Sequence, residues 1–212
     1  MAVIGRPREF DRDLALEAAM RLFWRKGFSA TSISDLCEVM EIKPPSLYAA
    51  YGNKEALYLQ AVEHYAQTLG ATFWARLEDG GTARQGVESL LLGATDCFLI
   101  CENSPGGCLM MLGAVSDELP ALIMEMVKKA RADMIVSMSN RFHRAVADGE
   151  LPAATDVDRL SRLFVCILHG MAVQARDGAR QNELAGLVEA AMSLWPGQST
   201  VNQPREAEKC PA

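Results

Sequence analysis

Apolar residues recur at three- and four-residue steps along nearly the whole chain, and no stretch alternates apolar and polar positions as a half-buried strand would. The expected fold class is therefore all-α, with about nine helices. From Phe10 to Phe28, Leu14, Ala18, Leu22 and Phe23 share one face, and Gly27 suits the left-handed residue that ends a helix. Ile33, Leu36, Cys37 and Met40 predict a short helix, N-capped by hydroxyls between Thr31 and Ser34 and ending near Glu41, with Ile42 plugging the turn. Pro44 and Pro45 stand where a new helix starts and a missing N–H costs nothing. That helix runs from about Pro45 to Tyr51, burying Leu47 and turning Ser46, Tyr48, Ala49 and Ala50 outward. Gly52 ends it, and Asn53 caps a longer helix from Lys54 through Leu77, with Leu57, Ala61, Tyr65, Leu69, Phe73 and Trp74 along one side.

After the break at Gly80-Gly81 the same periodicity predicts helices over 83–101, 108–115, 119–147, 156–178 and 182–195. Loops at 102–107 and 148–152 separate them. The expected organisation is a basic arm (1–9), a first helical unit (10–55), a larger helical unit (56–195) and a polar, proline-containing tail (196–212) expected to be disordered.

Two short helices joined by a tight turn, with a third starting at once, build a helix-turn-helix, although the spacing alone also fits one corner of a helical bundle. The residues around it are more specific: Ala18, Leu22 and Phe23, the run Lys26-Gly27-Phe28-Ser29-Ala30-Thr31-Ser32, Ile33, Leu47-Tyr48, Tyr51 and Lys54-Glu55-Ala56-Leu57. Residues 10–60 thereby resemble the N-terminal domain of the TetR family of transcriptional regulators. The resemblance implies that Thr31 and Ser32 start the helix touching the phosphate backbone. It implies that Lys43, Pro44, Pro45 and Ser46 form the base-facing start of the recognition helix, and that Tyr48 and Lys54 hold phosphates; Tyr51 completes the expected DNA-binding set. Pro44 departs from the polar or small residue common in relatives and removes a donor. Readout then leans on Lys43, Ser46, methyl contacts from Ala49 and Ala50, and DNA shape.

Charge changes this picture only in its distribution. The chain carries −6, but residues 1–60 hold eight Lys or Arg against eight Asp or Glu, so the remaining 152 residues carry the whole excess. DNA affinity would then come from a few placed cations and from dimerisation. Gly5-Arg6-Pro7-Arg8 is either a minor-groove arm or merely a soluble terminus. No run of about twenty uncharged apolar residues and no signal peptide is present, so a cytoplasmic protein without membrane partners and with mostly reduced cysteines is expected.

In the family the last two helices pair with their copies in a partner subunit. The residues expected there are Leu160, Phe164, Ile167, Leu168, Met171, Leu184, Leu187, Val188, Ala191 and Leu194, the alternative being that both helices face only inward. The resemblance also implies a small-molecule inducer. Candidates for its pocket wall are Phe73, Trp74, Leu77, Phe98, Cys101, Met110, Met111, Leu122 and Phe164; the further methionines 124, 126, 134 and 138 suit an apolar ligand, although a methionine at helical spacing is more often plain core. Cys97 and Cys101 lie on one helix face. Cys108 follows the Pro105-Gly106-Gly107 turn at a helix start, where amide dipoles lower a thiol's pKa. Inert thiols, a reactive sensor centred on Cys108, and a soft metal site all remain open, with His64, His143 and His169 too scattered to favour a metal.

The mechanism these residues imply is repression by occlusion. A ligand, or thiol chemistry in the C-terminal part, would change the spacing of two recognition helices about 34 Å apart through the helix beginning at Lys54. No phosphate loop, nucleophile elbow or metal-ligand spacing appears, so neither an enzyme nor a cofactor is expected. A helical adaptor without DNA binding would be expected to lack Tyr48 and Lys54, and both are present.

Overall fold

The computed structural model describes residues 10–79, 81–99, 106–112 and 119–197. All regular structure among them is helical: α1 (Arg12–Lys26), α2 (Ile33–Val39), α3 (Pro44–Tyr51), α4 (Lys54–Tyr65), a π-helical turn (Ala66–Gly70), α5 (Ala71–Ala75), α6 (Ala83–Leu99), α7 (Leu109–Leu112), α8 (Ala121–Ala147), α9 (Val157–Arg176) and α10 (Gln181–Met192). α4, the π turn and α5 follow one another without a break, so the helix expected from Lys54 to Leu77 forms with a π insertion at its middle. Residues 100–105 and 113–118, the arm 1–9, and the tail from 198 onward lie outside the described residues.

Local chemistry sets the first boundaries. The Asp11 carboxylate accepts from the amides of Asp13 and Leu14 at 3.0 and 3.1 Å, starting α1. Gly27 takes φ 77° after it. Ser32 and Asp35 cap α2 reciprocally, each amide donating to the other's side-chain oxygen at 3.0 Å. Asn53 Oδ1 accepts from the Ala56 amide at 2.8 Å and opens α4. The buried stripe of α1 is Ala15, Ala19, Met20, Leu22, Phe23 and Trp24, and Leu14, expected on that face, is 70 % exposed.

α1 packs on α4 through an aromatic cluster: Phe23 and Phe28 meet Tyr58 edge-on at 4.9 and 5.3 Å between ring centroids, and Trp24 meets Tyr65 at 5.2 Å. α1 is tied to the C-terminal helices as well. Trp24 Nε1 donates to the Gly106 carbonyl at 3.2 Å, and the Arg176 guanidinium at the end of α9 donates to the carbonyls of Trp24 and Arg25 at 3.2 and 2.9 Å. Gly106 and Gly107, both at positive φ, lie so close to α9 that a Cβ would run into the carbonyls of Ala175 and Ala172. Only glycine allows this strand of chain to bridge α1 and α9.

In the C-terminal part α8 packs on α9 and α6 on α10. Phe142, Phe164 and Trp195 close one end, with ring centroids between 5.6 and 6.0 Å apart. This packing covers most of the residues expected at the subunit face. Leu160, Phe164, Leu168, Met171, Leu184, Val188 and Ala191 are buried inside the protomer, because α9 and α10 spend their most apolar stripe on α6 and α8. Ile167 and Leu187 remain half-buried and Leu194 exposed. Beside them lie Leu163, Cys166, Gly170 and Val173 on α9 and Gly186 on α10, all exposed.

Candidate functional site

α3 presents a short, exposed surface. Its first turn needs no amide donors from Pro44 and Pro45, and its one fully buried anchor is Leu47. Lys43, Pro44 and Pro45 are exposed, Ser46 is half-buried, and Tyr48 is 50 % exposed. Ser32 is exposed too, its oxygen already accepting from Asp35. The Asp35 carboxyl is held below the usual carboxylate range by the Ser32 amide and then by Lys26, whose ammonium stands 3.2 Å away.

Three of the expected DNA-binding side chains have other work. Thr31 is buried and its hydroxyl donates to the Gly27 carbonyl at 2.7 Å, closing the turn between α1 and α2. Tyr51 is 4 % exposed, and its hydroxyl donates to the Arg12 carbonyl at 2.7 Å. Arg12 answers by donating to the Ala50 carbonyl at 2.7 Å, with its guanidinium 5.3 Å from the Tyr51 ring centre. Thr31 and Tyr51 therefore position the helices from buried places. Lys54 Nζ sits 4.3 Å over the Phe28 ring, and partial desolvation lowers its pKa. Sequence reasoning missed Arg12, because its partners lie 38 and 39 positions away.

Two adjoining cavities, about 280 and 580 Å³, lie between the α4–π–α5 rod, α7 and α8. They share Ala66, Met110, Ala130 and Asp133. Of the expected wall residues, Phe73, Trp74 and Met110 line the smaller cavity, and Met110 and Leu122 the larger one. Leu77, Phe98 and Phe164 are instead sealed in the core, Phe98 against Phe73 at 5.9 Å. Met111 is half-buried and lines neither cavity, and Cys101 lies outside the described residues. The sequence reading missed Tyr65, Gly70 and Asp133, whose place depends on the π turn and on the register of α8.

Tyr65 ends α4 with its hydroxyl buried between the thiols of Cys97 and Cys108, and no oxygen or nitrogen partner among the described residues satisfies it. Cys97 Sγ lies 3.8 Å from the Leu69 carbonyl in the π turn. Burial pushes the Cys97 thiol up to about 11, with the Cys108 thiol as the next contribution, and burial raises Cys108 as well. The expected acidification of Cys108 therefore does not occur: desolvation outweighs the amides of a four-residue helix. Among the described residues no group of His, Cys, Asp or Glu is arranged to hold a metal ion.

Known proteins align with this arrangement. Residues 15–61 match the family described as bacterial regulatory proteins, tetR family. Over 197 residues, 91 % of this chain and 92 % of the relative, the sequence is 34 % identical to the HTH-type transcriptional repressor ComR of Escherichia coli (strain K12). It is 44 % identical over 66 residues, 31 % of this chain and 34 % of the relative, to the HTH-type transcriptional repressor BdcR of the same strain. Among solved structures it is similar to a cysteine mutant of the TetR family transcriptional regulator CifR complexed with 26bp double-strand operator DNA. That similarity has a TM-score of 0.85 and 38 % identity, and covers 90 % of this chain and 100 % of that one.

Proposed function

The chain belongs to the TetR family of bacterial regulatory proteins, and from that premise we propose that it is a transcriptional repressor that binds operator DNA as a homodimer and is released by a small molecule. The single observation carrying the DNA reading is the surface of α3. Lys43, Pro44, Pro45, Ser46 and Tyr48 face outward on a helix held from behind by Leu47 and Tyr51. The N-terminal amides of α2 and α4 add two sites where phosphates meet helix dipoles, next to Ser32 and Lys54. ComR and BdcR are themselves repressors, and the operator complex belongs to CifR, a regulator alike over nearly its whole length.

Dimerisation uses the outer faces of α9 and α10. Leu163, Ile167, Val173, Leu187 and Leu194 supply apolar area, and Gly170 and Gly186, with no atom near their Cβ positions, let two copies approach closely. Regulation follows from α4. It starts at the DNA surface and ends at Tyr65 in the cavity wall, so a ligand that displaces the wall rotates or tilts the helix that carries Lys54. The shift in DNA affinity equals the ligand's preference for one arrangement over the other. Among the described residues no helix is long and apolar enough to cross a membrane, and the proposed setting is the cytoplasm, where the operator lies.

The test is selection of bound fragments from sheared DNA of the source genome by the purified full-length protein. A two-fold-symmetric site, bound by two copies and lost in Lys43→Ala, is the expected result. Enrichment of no sequence, or of a site without two-fold symmetry, overturns the reading.

A further inference from the structure

α4 is not alone in connecting the DNA-facing helices to the C-terminal part. α1 ends at Lys26, and the carbonyls of its last turn have no amide further along the helix to pair with. Two of them are taken from outside: the Arg176 guanidinium donates to the Trp24 carbonyl through Nη1 at 3.2 Å and to the Arg25 carbonyl through Nη2 at 2.9 Å. Arg176 is itself the final residue of α9. Its cation therefore stands at the negative ends of two helix dipoles at once. The C-terminus of α1 is capped by a side chain from the end of α9.

The chain at 106–107 makes the same junction a second time. Trp24 Nε1 donates to the Gly106 carbonyl at 3.2 Å, and the Gly107 amide donates to the Phe98 carbonyl of α6 at 3.2 Å. Gly106 and Gly107 lie directly on the Ala175 and Ala172 carbonyls of α9. From the capped end of α1 the path to the DNA surface is short: Gly27 follows, the Thr31 hydroxyl donates to its carbonyl at 2.7 Å, and Ser32 opens α2. α9 in turn carries Leu163, Ile167, Gly170 and Val173 on the face assigned to the partner subunit. One guanidinium thus stands between that face and the helix-turn-helix.

We propose that Arg176 is a positioning residue for operator spacing: by capping α1 from the end of α9 it fixes each helix-turn-helix relative to the two-fold axis, and so sets the separation of half-sites that the dimer accepts. This deepens the reading of the protein as a dimeric, operator-binding repressor and rests on it. A unit joined by α4 alone keeps a rotation about that helix, and a second attachment at the end of α1 removes it. One added base pair moves a half-site by about 3.4 Å and turns it by about 35°. A unit held at both points cannot follow that displacement without breaking a contact, whereas a unit held at one can. The planar guanidinium matters because it reaches two carbonyls at once, which an ammonium does only as a point charge.

The experiment uses the full-length protein and the genome-selected operator, with its half-sites at their native separation or moved by one base pair either way, beside a duplex holding a single half-site. Fluorescence anisotropy gives the spacing penalty, the ratio of affinities for the native and shifted operators. A penalty of about tenfold is expected for wild-type protein and about twofold for Arg176→Gln, with Arg176→Lys between them because it keeps the charge and loses the fork. Affinity for the single half-site should agree within about twofold among the three, since no DNA-facing side chain has changed. Trp24→Phe keeps a ring beside Tyr65 and loses the bond to Gly106, so its penalty should fall to about fourfold, and it carries the test if Arg176→Gln does not fold. A penalty near tenfold in folded Arg176→Gln or in Trp24→Phe would mean that these contacts serve stability only, and overturns the proposal. Loss of the dimer in Arg176→Gln, read by sedimentation velocity, would place the residue in the subunit contact and overturns it too. Wild-type protein that binds the two-fold operator with no spacing penalty sinks this inference alone, whereas wild-type protein that binds a single half-site as tightly as the whole operator sinks the dimeric reading.

Discussion

Replacing either tyrosine of α3 by phenylalanine removes one oxygen, and the two changes should have opposite signatures. Tyr51→Phe deletes the hydroxyl that donates to the Arg12 carbonyl at 2.7 Å and leaves the ring in place against Phe10, 6.3 Å between centroids. No cavity opens, so the cost is one partly buried hydrogen bond, about 1 kcal/mol. For a chain of this size that corresponds to a Tm lower by about 2–4 °C. Operator affinity should change by less than about threefold, because the base-facing surface is untouched. Tyr48→Phe deletes a hydroxyl on a side chain that is 50 % exposed, so stability should hold within about 0.5 kcal/mol. A phosphate, however, loses a charge-assisted hydrogen bond worth about 1.5 kcal/mol, or about tenfold per half-site. Differential scanning fluorimetry and fluorescence anisotropy on the selected operator separate the two. A Tyr51→Phe protein with unchanged Tm and tenfold weaker binding, or a Tyr48→Phe protein with lowered Tm and full affinity, would refute the division of labour assigned to α3.

Three further outcomes are expected. Arg176→Gln and Trp24→Phe each remove a tie between α1 and the C-terminal helices, and each should lower the urea midpoint by the equivalent of about 1–2 kcal/mol with an unchanged m-value; no change in midpoint would mean that these contacts contribute nothing. Cys97 and Tyr58 have folded pKa values raised to about 11 and about 12, above ordinary values of 9.0 and 10.0, so their contribution is intact below pH 9 and is lost as pH climbs toward 11 and 12. Urea midpoints should therefore fall above pH 9, and a rise across that window would contradict the burial of both groups. Cys166 is exposed on the outer face of α9, so in the dimer it should resist maleimide labelling, read residue by residue by mass spectrometry, until dilution separates the subunits; immediate labelling at high protein concentration would move the interface elsewhere.

What the sequence made legible was local. The Ser32–Asp35 capping box, the prolines at the start of α3 and Asn53 before α4 are decided within a few residues, so the three short helices could be placed nearly to their ends. Tyr51 stands four residues after the buried Leu47 and so shares its inward face, and the partner that holds it there, the Arg12 carbonyl, lies 39 positions away, beyond local reading. The same limit hid which residues of α9 and α10 stay exposed: apolar periodicity marked the stripe that packs on their own protomer, while the outer face, with its glycines and Cys166, carries a weaker pattern. Cys108 shows a different failure. A helix start promised an acidic thiol, but four residues of helix are little dipole against complete desolvation. The π turn has no sequence signature in this reading, and with it went Tyr65 and Gly70 as cavity residues.

Run-off transcription by the host RNA polymerase from the promoter next to the selected operator tests the central claim most directly. Wild-type protein should silence the transcript at concentrations where two copies occupy the site, and Tyr48→Phe should require about a hundredfold more for the same effect, about tenfold at each half-site. A transcript that is unchanged or increased by saturating wild-type protein would contradict repression by an α3-reading dimer.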